Sequence, residues 1–132
     1  MTSYGFREYS RDQVKESISA LRRDFFEAIN SGVSSVLMDN SAGLFRESLV
    51  CGSFADLSLA AQALGPMTMF TQTAEVIDEF DAIQLQEVSF GNSINTHSLM
   101  IGYHQYPGGV WKIWNAIFYG EISGTDLSAL LP

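Results

Sequence analysis

Apolar residues recur at helical spacing in the first part of the chain. Between Arg11 and Ser31 they return every three or four positions, which is typical of one buried helix face. Ser10 and Gln13 have the spacing of a capping box, and Gly32 offers a left-handed stop. The pattern therefore predicts a helix over residues 11–31. The apolar stripe consists of Val14, Ile18, Leu21, Phe25 and Ile29.

A second helix is predicted over residues 54–64. Ser53 and Asp56 repeat the capping spacing, and Gly65-Pro66 ends the helix because proline cannot continue it. Before this helix, a short apolar turn at 33–38 leads into turn-forming residues. The segment 42–50 that follows has the composition of a strand.

Beyond residue 66 the pattern changes from helical period to strand period. Four β-prone segments, at 67–77, 82–90, 96–106 and 110–122, are separated by polar or glycine-rich turns. Helices followed by a meander of strands predict an α+β fold, with the helices on one face of a curved antiparallel sheet. No internal linker is visible, so we expect one domain over 1–132, with an N-terminal arm at 1–9 and a tail at 123–132.

Composition excludes several classes of function. The 132 residues are 46% apolar, which suits one globular domain with its own core. A net charge of −8 opposes binding to nucleic acid or to anionic membranes. No apolar run approaches the roughly 20 residues of a membrane span. Cys51 is the one cysteine, which excludes an internal disulfide and a thiolate zinc site. We expect a cytoplasmic protein without a metal or a cofactor.

Three short stretches, in this order and spacing, resemble the nuclear transport factor 2-like superfamily. Phe26–Gly32 is similar to the end of the family's first helix, and Leu37–Ala42 to the entry into its first strand. Gly109–Phe118, followed by Gly120-Glu121, is similar to its closing strand. The superfamily includes SnoaL-like polyketide cyclases and steroid Δ-isomerases. The resemblance covers about residues 10–122 and rests on order and spacing.

The resemblance implies a cone: a curved antiparallel sheet wrapped around a long N-terminal helix, as in the cystatin-like roll, with a pocket at one end. The family's register implies an apolar pocket with few polar points. The steroid-isomerase catalytic positions fall at or beside Phe25, Phe45 and Ile101, so that activity is not expected. The implied ligand-binding residues are Phe25, Phe45, Gln86, Phe90, Ile101, Trp114 and Phe118.

Three residues are candidates for chemistry in such a pocket. His97 could exchange a proton near neutral pH, although a strand histidine can also serve only as a hydrogen-bonding residue. Tyr103 could polarise a carbonyl, or its hydroxyl could be satisfied in the core. Asp39 lies where the family often keeps an acid, but turn aspartates often bond their own backbone.

The same register predicts a second apolar surface on the opposite face of the sheet. A sheet face in water should alternate to polar residues, and a large exposed apolar patch marks an association surface. We therefore expect a homodimer through the outer sheet face, as is common in the superfamily. The residues of this predicted surface are Ile83, Leu85, Trp111, Ile113 and Ile117.

Two functions follow from these expectations. One is the binding of a small hydrophobic organic ligand in the cone, with cofactor-free dehydration, isomerisation or cyclisation if His97 acts as acid and base. The alternative is a non-catalytic dimerisation or protein-interaction module whose pocket is filled by large side chains. The convergence of His97 and Tyr103 on an open pocket would favour the first.

Overall fold

Three helices and four strands follow one another in the part of the chain that the computed structural model describes, residues 3–42 and 53–119. They are α1 (Ser3–Ser31), α2 (Ser35–Met38), α3 (Ser53–Leu64), β1 (Met67–Ile77), β2 (Asp81–Phe90), β3 (His97–Tyr106) and β4 (Val110–Tyr119).

The four strands form one antiparallel sheet in the order β1-β2-β3-β4, which confirms the predicted α+β class and the meander. The bounds of β1 agree with the predicted 67–77. The start of α1 does not: the helix begins at Ser3, so Ser10 and Gln13 lie inside it rather than at its end. Their capping-box spacing was therefore misleading.

The segment after α2 joins the sheet at its β4 side. Ser41 forms a parallel bridge with Ile113, the Ala42 amide donates to the Ile113 carbonyl at 2.9 Å, and the Ile113 amide donates to the Asn40 carbonyl at 2.9 Å. The remainder of the strand predicted at 42–50 lies outside the described residues, as do Phe45, Cys51 and the predicted tail at 123–132.

In the described part of the chain, one apolar core lies between the helices and one face of the sheet, which we call the inner face. We call this core the inner cluster. Four of its five α1 members belong to the stripe predicted from the sequence, and Ala28 is the fifth, so helical period and burial agree. The members of the inner cluster are Ile18, Leu21, Phe25, Ala28, Ile29, Leu37, Phe54, Leu57, Ala60, Ala61, Met67, Ala82, Val88, Phe90, Leu99, Ile101, Tyr103, Trp111 and Ile113.

A β-bulge in β4 corrects the predicted faces of that strand. Gly102 pairs with Asn115, but the next residue of β3, Tyr103, pairs with Ile113, so Trp114 is an extra residue. Trp111 and Ile113, predicted on the outer face, are only 7% and 0% exposed and belong to the core. Trp114, predicted inside, is 38% exposed, because one inserted residue exchanges the two faces of the strand.

Two turns meet where α3 leads into β1 and β2 leads into β3. Gly91 has φ +58° and Gly65 has φ +112°, and both are conformations that side chains rarely adopt. The Gly91 amide donates to the Pro66 carbonyl at 2.9 Å, so the two backbones lie in close contact. This contact joins the start of β1 to the end of β2.

No helix in the described ranges is both long enough and apolar enough to cross a membrane.

Candidate functional site

Two glutamines of β2 lie buried on the inner face of the sheet. The strand alternates, so Gln84 and Gln86 share their face with Ala82, Val88 and Phe90. Both glutamines are 0% exposed, although the other three residues of this face are apolar. Because buried amides must find hydrogen-bond partners in the protein, their bonds define the polar part of the site.

Gln84 connects the core to the surface through a chain of hydrogen bonds. The Tyr103 hydroxyl donates to Gln84 Oε1 at 2.6 Å, and Gln84 Nε2 donates to Glu75 Oε2 at 2.9 Å. Gln84 and Glu75 are directly paired across β1 and β2, which aligns the two side chains. We call these three residues the tyrosine relay.

The environment keeps the relay's phenol protonated. Burial raises the pKa of Tyr103 above its ordinary value of 10.0; the Arg22 guanidinium opposes this rise, and the Glu75 carboxylate adds to it. Desolvation disfavours the phenolate, so Tyr103 is a neutral hydrogen-bond donor to Gln84. Its oxygen keeps lone pairs that can accept a further hydrogen bond.

Gln86 carries a buried acceptor that has no donor. Its Nε2 donates to the Leu99 carbonyl at 2.7 Å and contacts the Gln84 carbonyl at 3.4 Å, which fixes the orientation of the amide. Among the buried side-chain nitrogen and oxygen atoms in the described part of the chain, only Gln86 Oε1 has no hydrogen-bond partner. An unpaired buried acceptor costs about 1–3 kcal/mol, so a polar guest that supplies a donor would be stabilised there.

A polar rim lies beside the two glutamines, between α1 and β1. Gln86 pairs with Gln72 on β1, and Arg22 of α1 donates to Gln72 Oε1. Gln72 and Met69 are on the inner side of β1, since they pair with inward residues of β2, yet both are exposed. The inner face of the sheet is therefore exposed at Gln72 and Met69, one strand away from the unpaired oxygen of Gln86.

The structure places His97 far from Tyr103. Both face inward on β3, but they are six positions apart along the strand, and at about 3.3 Å per residue this is roughly 20 Å. The His97 ring instead lies 5.3 Å from the Phe118 ring and 6.1 Å from the Phe90 ring, measured between centroids. His97 and Tyr103 are therefore too far apart to act on the same reacting group.

The remaining predicted site residues divide into three groups. Phe25, Gln86, Phe90 and Ile101 are buried together in or beside the inner cluster, and Phe118 packs against it. Asp39 is exposed at the end of α2. Trp114 lies on the outer face, as described above, and Phe45 is outside the described residues.

Sequence reasoning missed Arg22, Gln72 and Glu75, and it gave Gln84 no role. A signal for the glutamines existed, because polar residues at inward strand positions are unusual. The side-chain bond between Arg22 and Gln72 joins residues 50 positions apart and has no local signature. In residues 3–42 and 53–119, no group of three or more His, Cys, Asp or Glu could hold a metal ion.

Fold and site together define an α+β protein in which a four-stranded antiparallel sheet and its helices enclose a core with a small polar centre. No family model matches the sequence, and no curated protein matches it.

Proposed function

We propose that this protein binds a small, mostly apolar organic molecule between α1 and the inner face of its sheet. The fold that best accounts for this is a nuclear transport factor 2-like cone, with the sheet curved around α1. The observation that carries the proposal is the unpaired Gln86 Oε1 within apolar surroundings. Ligand sites typically combine apolar walls with a few such polar groups.

The position of the rim supports access to this site. Arg22, Gln72 and Met69 lie between α1 and the edge of β1, and Gln72 is paired with Gln86. A guest that enters beside Gln72 would meet Gln86 next and the tyrosine relay after it. His97 stays a prediction for acid–base chemistry; at roughly 20 Å from Tyr103, it would have to act without that residue.

The test is native mass spectrometry of the purified full chain, followed by denaturing analysis of any released molecule. We expect wild type to retain a small molecule and Gln86→Met to lose it. Methionine has a similar volume; it removes the unpaired acceptor but also the hydrogen bond from Nε2 to the Leu99 carbonyl, and because these two effects oppose each other the free energy of unfolding should change by about 1 kcal/mol or less. Circular dichroism checks this.

Gln62→Met is the matched control, because it makes the same substitution at an exposed position of α3. It should leave the retained molecule unchanged. The proposal would be wrong if the wild-type protein carried no bound molecule and had the same free energy of unfolding as Gln86→Met. That result would indicate that a buried water satisfies Gln86 Oε1.

A second candidate function, homodimerisation through the outer face, is favoured by a specific observation. Ile83 on β2 and Trp114 and Ile117 on β4 are 42%, 38% and 36% exposed, and they lie on this face on the two sides of β3. Leu85 and Met100 lie between them and are half-buried. We call these five residues the outer patch; it retains Ile83, Leu85 and Ile117 of the predicted surface and has Trp114 in place of Trp111 and Ile113.

Charges at the two ends of the outer face favour a second copy as the partner. Lys112, paired with His104 of β3, lies at one end, where the Asp81 carboxylate is held by His104 at 2.7 Å, and Glu87, paired with Ser98, lies at the other end. A two-fold axis through the outer patch would bring the Lys112 end of one copy to the Glu87 end of the other. Such self-complementarity is what a symmetric dimer requires.

Ile117→Lys is expected to convert the dimer to a monomer. A lysine in the middle of an apolar interface would lose its hydration without gaining a partner, and we expect the dissociation constant to rise about 100-fold, or roughly 3 kcal/mol. Light scattering coupled to gel filtration measures the mass at micromolar concentration. The matched control is Ile94→Lys, at a turn residue that is 95% exposed. A monomeric wild type would contradict the proposal.

A further inference from the structure

The polar groups of the inner site differ in what they can still bind. The Tyr103 hydrogen is donated to Gln84, and the Gln86 amide donates to Leu99 and contacts the Gln84 carbonyl. The groups that remain open toward a guest are oxygens: Gln86 Oε1, which has no donor, and the Tyr103 hydroxyl oxygen, whose hydrogen is already engaged. Both can only accept a hydrogen bond in this arrangement.

The tyrosine relay strengthens this preference. Gln84 Nε2 donates to the Glu75 carboxylate at 2.9 Å, and this polarises the amide that receives the Tyr103 hydrogen. Hydrogen bonds in such a chain reinforce one another, so the phenol oxygen becomes a better acceptor.

An anionic guest would be disfavoured at this depth. Its carboxylate would lose its hydration and face two acceptors, with the Glu75 carboxylate at the end of the relay. Arg22 offers a positive charge and lowers the pKa of Tyr103, but its side chain donates a hydrogen bond to Gln72 at the rim, one strand outside Gln86. The loss of hydration and the two acceptor oxygens thus disfavour a negative charge beside Gln86.

We infer that the inner site recognises a neutral molecule by a hydroxyl or N–H donor that bonds to Gln86 Oε1, and that it discriminates against an isostere without that donor. The inference rests on the proposed binding function and adds the chemical class of the ligand. The energetic basis is asymmetric, since a guest without a donor leaves a buried acceptor unpaired, whereas a donor guest satisfies it.

Three bicyclic probes of nearly equal shape test the inference by isothermal titration calorimetry. Indole carries an N–H donor, indene carries neither donor nor acceptor, and benzofuran carries only an ether oxygen. Wild type is expected to bind indole about tenfold more tightly than either of the others, which is the effect of one satisfied hydrogen bond. In Gln86→Met the three affinities should lie within about twofold of one another, whereas Gln62→Met should keep the wild-type ratio.

The outcomes separate this inference from the proposed function. Equal binding of all three probes to wild type would overturn the donor preference and leave a ligand site standing. A preference for indole that persists in Gln86→Met would place recognition at another group. No binding by any probe would overturn the inference, and native mass spectrometry would then decide the proposed function separately. The comparison of probes on wild type does not depend on whether the variant folds.

Discussion

Gly91→Ala is expected to destabilise the protein by more than about 3 kcal/mol, enough to unfold much of a marginal domain. A Cβ at this position would lie 2.1 Å from the Leu64 carbonyl oxygen and 3.2 Å from Gly65 Cα. Both are backbone atoms that no side-chain rotation can move away. In addition, φ is +58°, which costs a non-glycine residue about 1 kcal/mol without any clash.

Chemical denaturation followed by circular dichroism measures this effect, and Gly108→Ala is its control. Gly108 also has positive φ, at +90°, but a Cβ there would meet nothing within 4 Å. It therefore carries the backbone strain without the clash, and we expect a loss of about 1 kcal/mol. Equal losses in the two variants would show that the contact between the turns can relax, contrary to the close packing of Gly65 and Gly91.

Asn30→Leu is expected to cost about 2–4 kcal/mol, because two hydrogen bonds to one residue are lost together. Asn30 Nδ2 donates to the Met67 carbonyl at 2.9 Å, and the Met67 amide donates to Asn30 Oδ1 at 2.7 Å. Met67 is 1% exposed, so its backbone groups have little access to water. The pair attaches the first residue of β1 to the end of α1.

Thermal and denaturant unfolding measure the change, with Asn95→Leu in an exposed turn as the matched control. The control should change the free energy of unfolding by about 0.5 kcal/mol or less. An Asn30→Leu loss as small as that of the control would mean that water replaces the side chain at Met67. In that case the attachment of β1 to α1 would depend on packing alone.

Local pattern was sufficient for most of the elements. On β2, the register implied by the family resemblance places Gln86 and Phe90 inward, and both are buried in a strand whose burial alternates. Strand period is a strong signal there because one face is almost entirely apolar. The stripe of α1 succeeded for the same reason, whereas its start failed because a chance capping spacing competed with a helix that continues to Ser3.

The faces of β4 could not be predicted, and the reason is physical. Residues 110–118 are apolar at both parities, so either phase buries a full set of large side chains. The bulge at Trp114 selects between them, and a bulge is set by pairing with β3 rather than by its own sequence. The sequence offers one clue to the bulge, the glycine at position 102. In the structure Gly102 lies opposite Asn115, and a Cβ on Gly102 would lie 3.2 Å from the Trp114 ring nitrogen.

The site was half accessible from sequence. Gln86, Ile101 and Tyr103 are predicted on one face of the sheet. The length of strand between His97 and Tyr103 also follows from the sequence, and it excludes their convergence. The contact between Arg22 and Gln72 depends on the rotation of α1 and on two irregularities in β1, next to Met69 and Gln72. Neither the rotation of α1 nor the irregularities in β1 can be predicted from the sequence around these residues.

The bulge in β4 also places the two tryptophans of the chain in different environments, which makes them two distinct fluorescent probes. Trp111 and Trp114 are its two tryptophans, three residues apart, and the inserted residue turns one into the core and leaves the other on the outer face. Their indoles therefore have different solvent contact, and tryptophan emission depends on solvent. A single-tryptophan form of each kind would separate what happens inside the sheet from what happens on its outer surface.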